Sequence, residues 1–264
     1  MINQFFESVV VLYTETTHAD PQLAEIVEMA TVVQTDQSWC VNSMLFGCSG
    51  GMPPEASAVT CISNQMIAGL PSIDQSMHAV IGMLGSEAEY FVAHNAKYDQ
   101  SVLVRAFEHS SVPELAQMFA DPTRWICTLR LSRHMYGDAV SSHRQNYLRY
   151  ALDLDVDHSL TVHRAGDDAR VCAALLETLV RDLIQTGRIS SDQPIAPQLV
   201  DLCAQPIPIS VWPLGKHRGT LLSDLETDYL LWAVDNINSL QSTAAEADSD
   251  LIHSVTEELL SRLN

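Results

Sequence analysis

Residues 8–20, "SVVVLYTETTHAD", decide the fold. The first six are a continuous apolar, β-branched run, the pattern of a strand buried on both faces in the middle of a sheet. The polar turn that follows carries Glu15, Thr16, Thr17 and His18. Outward from that strand, "IVEMATVVQ" (26–34) and "SWCVNSMLF" (38–46) read as two further strands that make a meander with the first. Beyond a loop at 47–57, helical and extended patterns alternate. "SMHAVIGMLG" (76–85) reads as a helix closed by glycine. "EYFVAHN" (89–95) reads as a short strand, "AKYDQSVLVRAFEH" (96–109) as a helix and "RWICT" (124–128) as another short strand. Helical patterns follow at 129–137, 144–154 and 167–185. This order predicts an α/β fold, a mixed sheet flanked by helices. The proline- and glutamine-rich stretch 190–206 reads as a linker. It would join a domain at 1–189 to a small, mainly helical module at 207–264 that ends in an amphipathic helix at 248–263.

A chain of 264 residues, 47% of them hydrophobic, is long enough for one sizeable core and a small appendage. No apolar run approaches the roughly 18 residues that cross a bilayer, so no membrane role is expected. The start, "MINQFFESVV", lacks the basic and long apolar parts of a leader. Six dispersed cysteines without a CxxC pair read as thiols in a reducing cytoplasm. The formal net charge is −19, and the lysines are Lys97 and Lys216. Long-range attraction of a polyanion is therefore not expected, which leaves only a local basic patch. The densest such patch is Lys216-His217-Arg218 between Gly215 and Gly219. A glycine-flanked basic turn can meet a phosphate, dock a protein, or simply fix a turn.

Three short stretches carry the acids that matter: "YTETT" (13–17), "AHNAKYD" (93–99) and "HRAGDDA" (163–169). A glutamate after a strand is commonplace, and an aspartate in a first helical turn is often only a dipole partner. Together they place carboxylates at a strand end and at two helix starts, which can converge at one edge of a sheet. Converging carboxylates repel and call for cations between them. Oxygen ligands with room for water suit Mg²⁺ or Mn²⁺. A histidine five residues before the last aspartate then suits a general base.

The three stretches resemble the three motifs of the DEDDh 3′–5′ exonucleases, the superfamily of DNA polymerase proofreading subunits. The family's Asp-x-Glu falls on Tyr13-Thr14-Glu15. Its second motif falls on His94 to Asp99, and its third is intact from His163 to Ala169. "RWICT" and "LGKHRGT" (214–220) are similar to segments of the exodeoxyribonuclease X branch. The resemblance implies a ribonuclease-H-like fold and metal-dependent hydrolysis of phosphodiester bonds at the 3′ ends of single-stranded DNA or another nucleic acid. By position it implies Glu15, Asp99 and Asp168 as the metal set, with Asp99 reached through water, and His163 as the base. Thr16, Thr17, His18 and Asn95 would lie near the terminal nucleotide, with Lys216 and Arg218 as further contacts.

Tyr13 is the main departure, because the family's aspartate there bridges two ions. Phenol has a reference pKa near 10, so a phenolate ligand at pH 7 needs a shift of about three units, roughly 4 kcal/mol. The ring either packs at the strand end and does nothing else, or becomes a new ligand. His18, where the family has glycine, and Thr60, where it has histidine, also depart. The expectation is one ion or none, with impaired activity. The alternative is a catalytically silent homologue that binds a protein or nucleic-acid partner.

Overall fold

The computed structural model describes residues 2–35, 38–85, 88–110, 112–157, 159–160, 163–241 and 248–263. The chain divides into two compact units, Met1–Cys203 and Ala204–Asn264. In the first unit, helix α1 (Ile2–Ser8) leads into strands β1 (Val9–Thr16), β2 (Ile26–Thr35) and β3 (Ser38–Leu45). Helices α2 (Pro54–Thr60), α3 (Asn64–Ile67) and α4 (Met77–Leu84) precede β4 (Tyr90–Ala93). Helices α5 (Ala96–Phe107) and α6 (Pro113–Ala120) precede β5 (Trp125–Cys127). Helices α7 (Thr128–Tyr136), α8 (Gln145–Ala151), α9 (Ala165–Gln185) and α10 (Ile195–Ala204) complete the unit. Among the described residues, no helix is long and apolar enough to cross a membrane.

The five strands form one mixed sheet in the order β3-β2-β1-β4-β5. β1 runs antiparallel to β2 and parallel to β4, so the meander and the crossover strands meet at β1. Side chains alternate across that strand. Val9, Val11 and Tyr13 face the core that α9 covers, while Val10 and Leu12 face the core beneath α5. This two-sided burial explains why β1 reads as an unbroken apolar run. It also puts the acids of the β1 end, the α5 start and the α9 start at one edge of the sheet.

Two expectations need correction. The stretch read as a linker, 190–206, contains α10, whose Ile195, Ala196, Leu199 and Leu202 are buried in the same core as α9. Its prolines misled the reading. Pro197 sits in the first helical turn, where its missing N–H has no intrahelical acceptor to lose. The loop read at 47–57 holds the start of α2, which again opens on proline. Three helices had no counterpart in the sequence reading: α1, α3 and α6.

The second unit has its own core of Trp212, Leu222, Leu225, Leu230, Ala233, Leu240, Leu251 and Val255. Helices α11 (Thr227–Asn236) and α12 (Ser249–Ser261) supply half of it. Asp248 caps α12 by accepting the N–H groups of Asp250 and Leu251.

Candidate active site

At the end of β1 successive side chains serve opposite faces. Thr14 points toward α5, where its N–H and hydroxyl both donate to Asp99 Oδ1, at 3.0 and 2.8 Å. Asp99 itself lies in the first turn of α5 and is 4% exposed. Asn95 starts that helix in the left-handed conformation, φ 64°, which asparagine tolerates better than most residues. The exposed Asn95 turns the chain so that Asp99 enters beneath the sheet edge.

Tyr13 and Glu15 point toward α9. Glu15 is 7% exposed, and its Oε1 is buried without a hydrogen-bond partner. Asp168 lies in the first turn of α9 and accepts the His163 N–H at 2.9 Å. His163 adopts φ 64°, a turn that folds the residue back onto the helix start. Its ring is exposed. One ligand atom from each of Glu15, His163 and Asp168 lies within 4.8 Å of the others. Asp99 stands outside that group, with Oδ1 committed to Thr14.

The start of α9 is held by residues that the sequence reading did not single out. Glu28 on β2 pairs across the sheet with Glu15 and is 2% exposed. It receives Arg164 through two bonds (3.1 and 2.9 Å), the Ala165 N–H (3.1 Å) and the Ser43 hydroxyl (3.0 Å). Burial alone would raise the Glu28 carboxyl, but the Arg164 and Ala165 bonds overcome it and hold it below the usual range. On α8, Gln145 donates to the Asp168 carbonyl at 2.8 Å. The buried Arg149 donates to the carbonyls of Asp157 and Leu160, just before the His163 turn. A lone acid inside the apolar run "IVEMATVV" was the available signal for Glu28.

Burial raises all three site acids, and for Glu15 the neighbouring acids add to it. Burial, then Asp168, pushes Glu15 up to about 8. Burial pushes Asp99 up to about 7 against the opposing Thr14 bonds, and Asp168 up to about 6. Tyr13 meets the same field. Burial first, then the charges of Asp168, Asp99 and Glu15, raise its phenol well above the ordinary value. Burial and the neighbouring acids thus disfavour the charged phenolate form.

The other predicted positions are less free than the sequence implied. Thr17 is tied back to Glu25, accepting its N–H at 2.9 Å. The Tyr98 hydroxyl donates to the His18 carbonyl at 2.6 Å and contacts the Thr16 hydroxyl. The His18 ring is exposed and accepts the Asp20 N–H. Thr60, where the family has histidine, is 3% exposed and closes α2 by donating to the Ala56 carbonyl. His94 is half-buried, its ring held between the Thr128 hydroxyl and the His143 carbonyl, a packing role. Lys216 and Arg218 are exposed and belong to the second unit. A cleft of about 840 Å³ lined by Glu25, Asp74, Arg105 and His109 contains none of the site acids.

The residues present fit one divalent cation. The Glu15 Oε1 atom is buried with no protein donor, and burial holds the carboxyls of Glu15, Asp99 and Asp168 above their usual range, an environment that a cation would relieve.

Comparison with known proteins follows the same geometry. The family model described as RNase_T, Exonuclease, matches residues 10–176. Exodeoxyribonuclease 10 of Escherichia coli (strain K12) is 30% identical over 220 residues, covering 81% of this chain and 86% of that protein. The DNA polymerase III PolC-type of Thermotoga petrophila is 28% identical over 183 residues, covering 67% of this chain and 12% of that protein. The solved structure of exonuclease X with 5′ overhanging duplex DNA superposes with a TM-score of 0.54 at 26% identity. It covers 74% of this chain and 99% of its own. Escherichia coli exonuclease I with a dT13 oligonucleotide gives a TM-score of 0.54 at 13% identity, covering 68% of this chain and 42% of its own, a likeness of fold.

Proposed function

The chain belongs to the RNase T exonuclease family, within the DEDDh 3′–5′ exonucleases, and from that membership we propose that it acts on nucleic-acid 3′ ends with hydrolysis slowed by Tyr13. The family works with divalent metal ions. In this chain Glu15 and Asp168 would hold a Mg²⁺ or Mn²⁺ ion, with Asp99 nearby. When bound, that ion supplies charge to the scissile phosphate. His163, exposed at the mouth of the site, would take the proton from the attacking water. Thr16, Thr17, His18 and Asn95 border the strand-end turn and helix start where a terminal nucleotide would sit. Lys216 and Arg218, exposed on the second unit, would offer that unit a phosphate contact of its own.

The observation that carries the reading is the phenol ring at position 13, half-buried beside Asp168, Asp99 and Glu15, where burial disfavours its ionisation. A neutral ring cannot share charge between two ions. The attacking and leaving oxygens then lack the second of the two positive partners that in-line displacement uses. DNA is the favoured substrate, since the exonuclease X relative was solved with duplex DNA carrying a 5′ overhang. The same ring favours one other reading, a silent homologue that holds a nucleic-acid or protein partner.

The test is release of nucleotides from a labelled single-stranded DNA with Mg²⁺ and with Mn²⁺. Slow cleavage is expected from the natural chain. Tyr13→Asp is expected to raise the rate by about 10²–10³-fold, the size of one restored electrostatic contact at a transition state. Cleavage by neither protein would overturn the enzymatic reading and leave the silent homologue.

A further inference from the structure

We infer that His163 is a metal ligand in this chain, forming with Glu15 and Asp168 a mononuclear site for a first-row transition cation such as Mn²⁺ or Co²⁺. This rests on the proposed function for the presence of a cation, and changes which residue holds it and which ion it prefers. Three observations carry it. The ligand atoms of Glu15, His163 and Asp168 form the group that lies within mutual ligand reach, 4.8 Å, among the described residues. The Glu15 Oε1 atom, on a side chain 7% exposed, is buried with no partner, so an oxygen already stripped of water has no protein donor. Asp99, the acid that would otherwise complete an all-oxygen set, spends Oδ1 on Thr14.

The backbone holds the imidazole in place. His163 takes φ 64°, and its N–H donates to Asp168 Oδ2 at 2.9 Å, so ring and carboxylate belong to one turn. Arg164, the next residue, is fixed to the buried Glu28 by two bonds. The ring is exposed, so its coordination needs no opening of the core. Tyr13 offers a bulky neutral phenol where an anionic bridge would have tied a second ion to the first.

A donor set of two carboxylates and one imidazole favours Mn²⁺, Co²⁺ or Zn²⁺ over Mg²⁺, which prefers oxygen ligands and keeps its water. Coordination also takes a ring nitrogen away from proton transfer, a second cause of slow hydrolysis besides Tyr13.

The test uses the full chain stripped with chelator and titrated with Mn²⁺, read by electron paramagnetic resonance and electron spin-echo spectroscopy. One bound Mn²⁺ per chain is expected, with nitrogen modulation from a coordinated imidazole. Competition should show Mg²⁺ binding at least about 100-fold more weakly. In His163→Asn, chosen because asparagine tolerates a left-handed φ, the nitrogen signal should vanish and the Mn²⁺ Kd rise about tenfold or more. Asp99→Asn should keep the nitrogen signal. Two Mn²⁺ ions with oxygen-only spectra, or an unchanged nitrogen signal in His163→Asn, would overturn the assignment. Oligonucleotide cleavage is read separately. Cleavage without a nitrogen signal sinks this assignment alone, and a nitrogen signal in a protein that neither binds nor cuts DNA supports the assignment while removing the proposed substrate.

Discussion

At position 13 the phenol meets Asp168, Asp99 and Glu15 where burial already disfavours charge. An aspartate there would add a fourth carboxyl to three that are held above their usual range. Tyr13→Asp should therefore melt earlier than the natural chain in chelator, because like charges packed in a dry site repel. With Mg²⁺ at 100 times its Kd, binding adds about 2.7 kcal/mol, so the order of melting should narrow or reverse. Calorimetry of both proteins, with and without Mg²⁺, checks this; equal melting in chelator would mean the ring lies outside the acids' field. His94 gives a second test at this scale. Burial lowers it to about 4 from an ordinary value of 6.5. The unfolded chain then takes up a proton that the folded chain refuses, so stability is full above pH 6.5 and falls toward pH 4. The loss amounts to about 3 kcal/mol when complete. Urea unfolding at pH 7 and pH 5 should show the loss, and His94→Gln should flatten it.

Between elements, the firmest tie at the site is β2 to α9 through Glu28 and Arg164. Arg164→Ala would leave the buried carboxylate with only the Ala165 N–H and the Ser43 hydroxyl. The arginine side chain is 36% exposed, so water screens part of the loss and about 2 kcal/mol of destabilisation is expected. A double-mutant cycle with Glu28→Gln should recover most of it, because the uncompensated charge is then gone. Additive losses would mean that the two residues act independently. This tie also marks the limit of what the sequence carries. Both strand runs and the three acidic stretches were legible, since apolar alternation and motif spacing are local patterns. The Glu28–Arg164 bond was not, because it joins residues 136 positions apart that the packing of α9 on β2 brings together. The α10 helix was hidden for a different reason. Prolines that punctuate a loop elsewhere here sit in and just before a first helical turn, and burial of Ile195 and Leu199 outweighs local propensity.

For the whole molecule, the −19 charge and the two separate cores set different conditions. Fourteen lysines and arginines against thirty-three acids repel a polyanion at a distance, so attraction has to come from contacts at short range. The second unit offers them together. Lys216 and Arg218 are exposed, the Lys216 Nζ lies 6.0 Å from the Tyr229 ring centre, and Trp232, 52% exposed, stacks on Tyr229 at 5.7 Å. Trp212, also in contact with Tyr229, is fully buried and belongs to the core. An exposed indole stacked on the ring that Lys216 faces suits a base and its phosphate, and stacking of this kind is worth about 1–3 kcal/mol per base. Trp232→Ala should weaken binding of a labelled single-stranded oligonucleotide in chelator by about tenfold or more, with little change in melting temperature. Lys216→Ala and Arg218→Ala should each reduce the salt slope by about 0.7, the share of one single-strand phosphate contact. Fluorescence anisotropy across a salt series measures all three. An unchanged slope in both charge variants, together with unchanged affinity in Trp232→Ala, would leave the first unit as the sole carrier of binding. Asp228 and Asp235 on the same helix as Trp232 repel the strand, and salt screens that repulsion, so the net salt dependence should be shallower than the cation contacts alone would give.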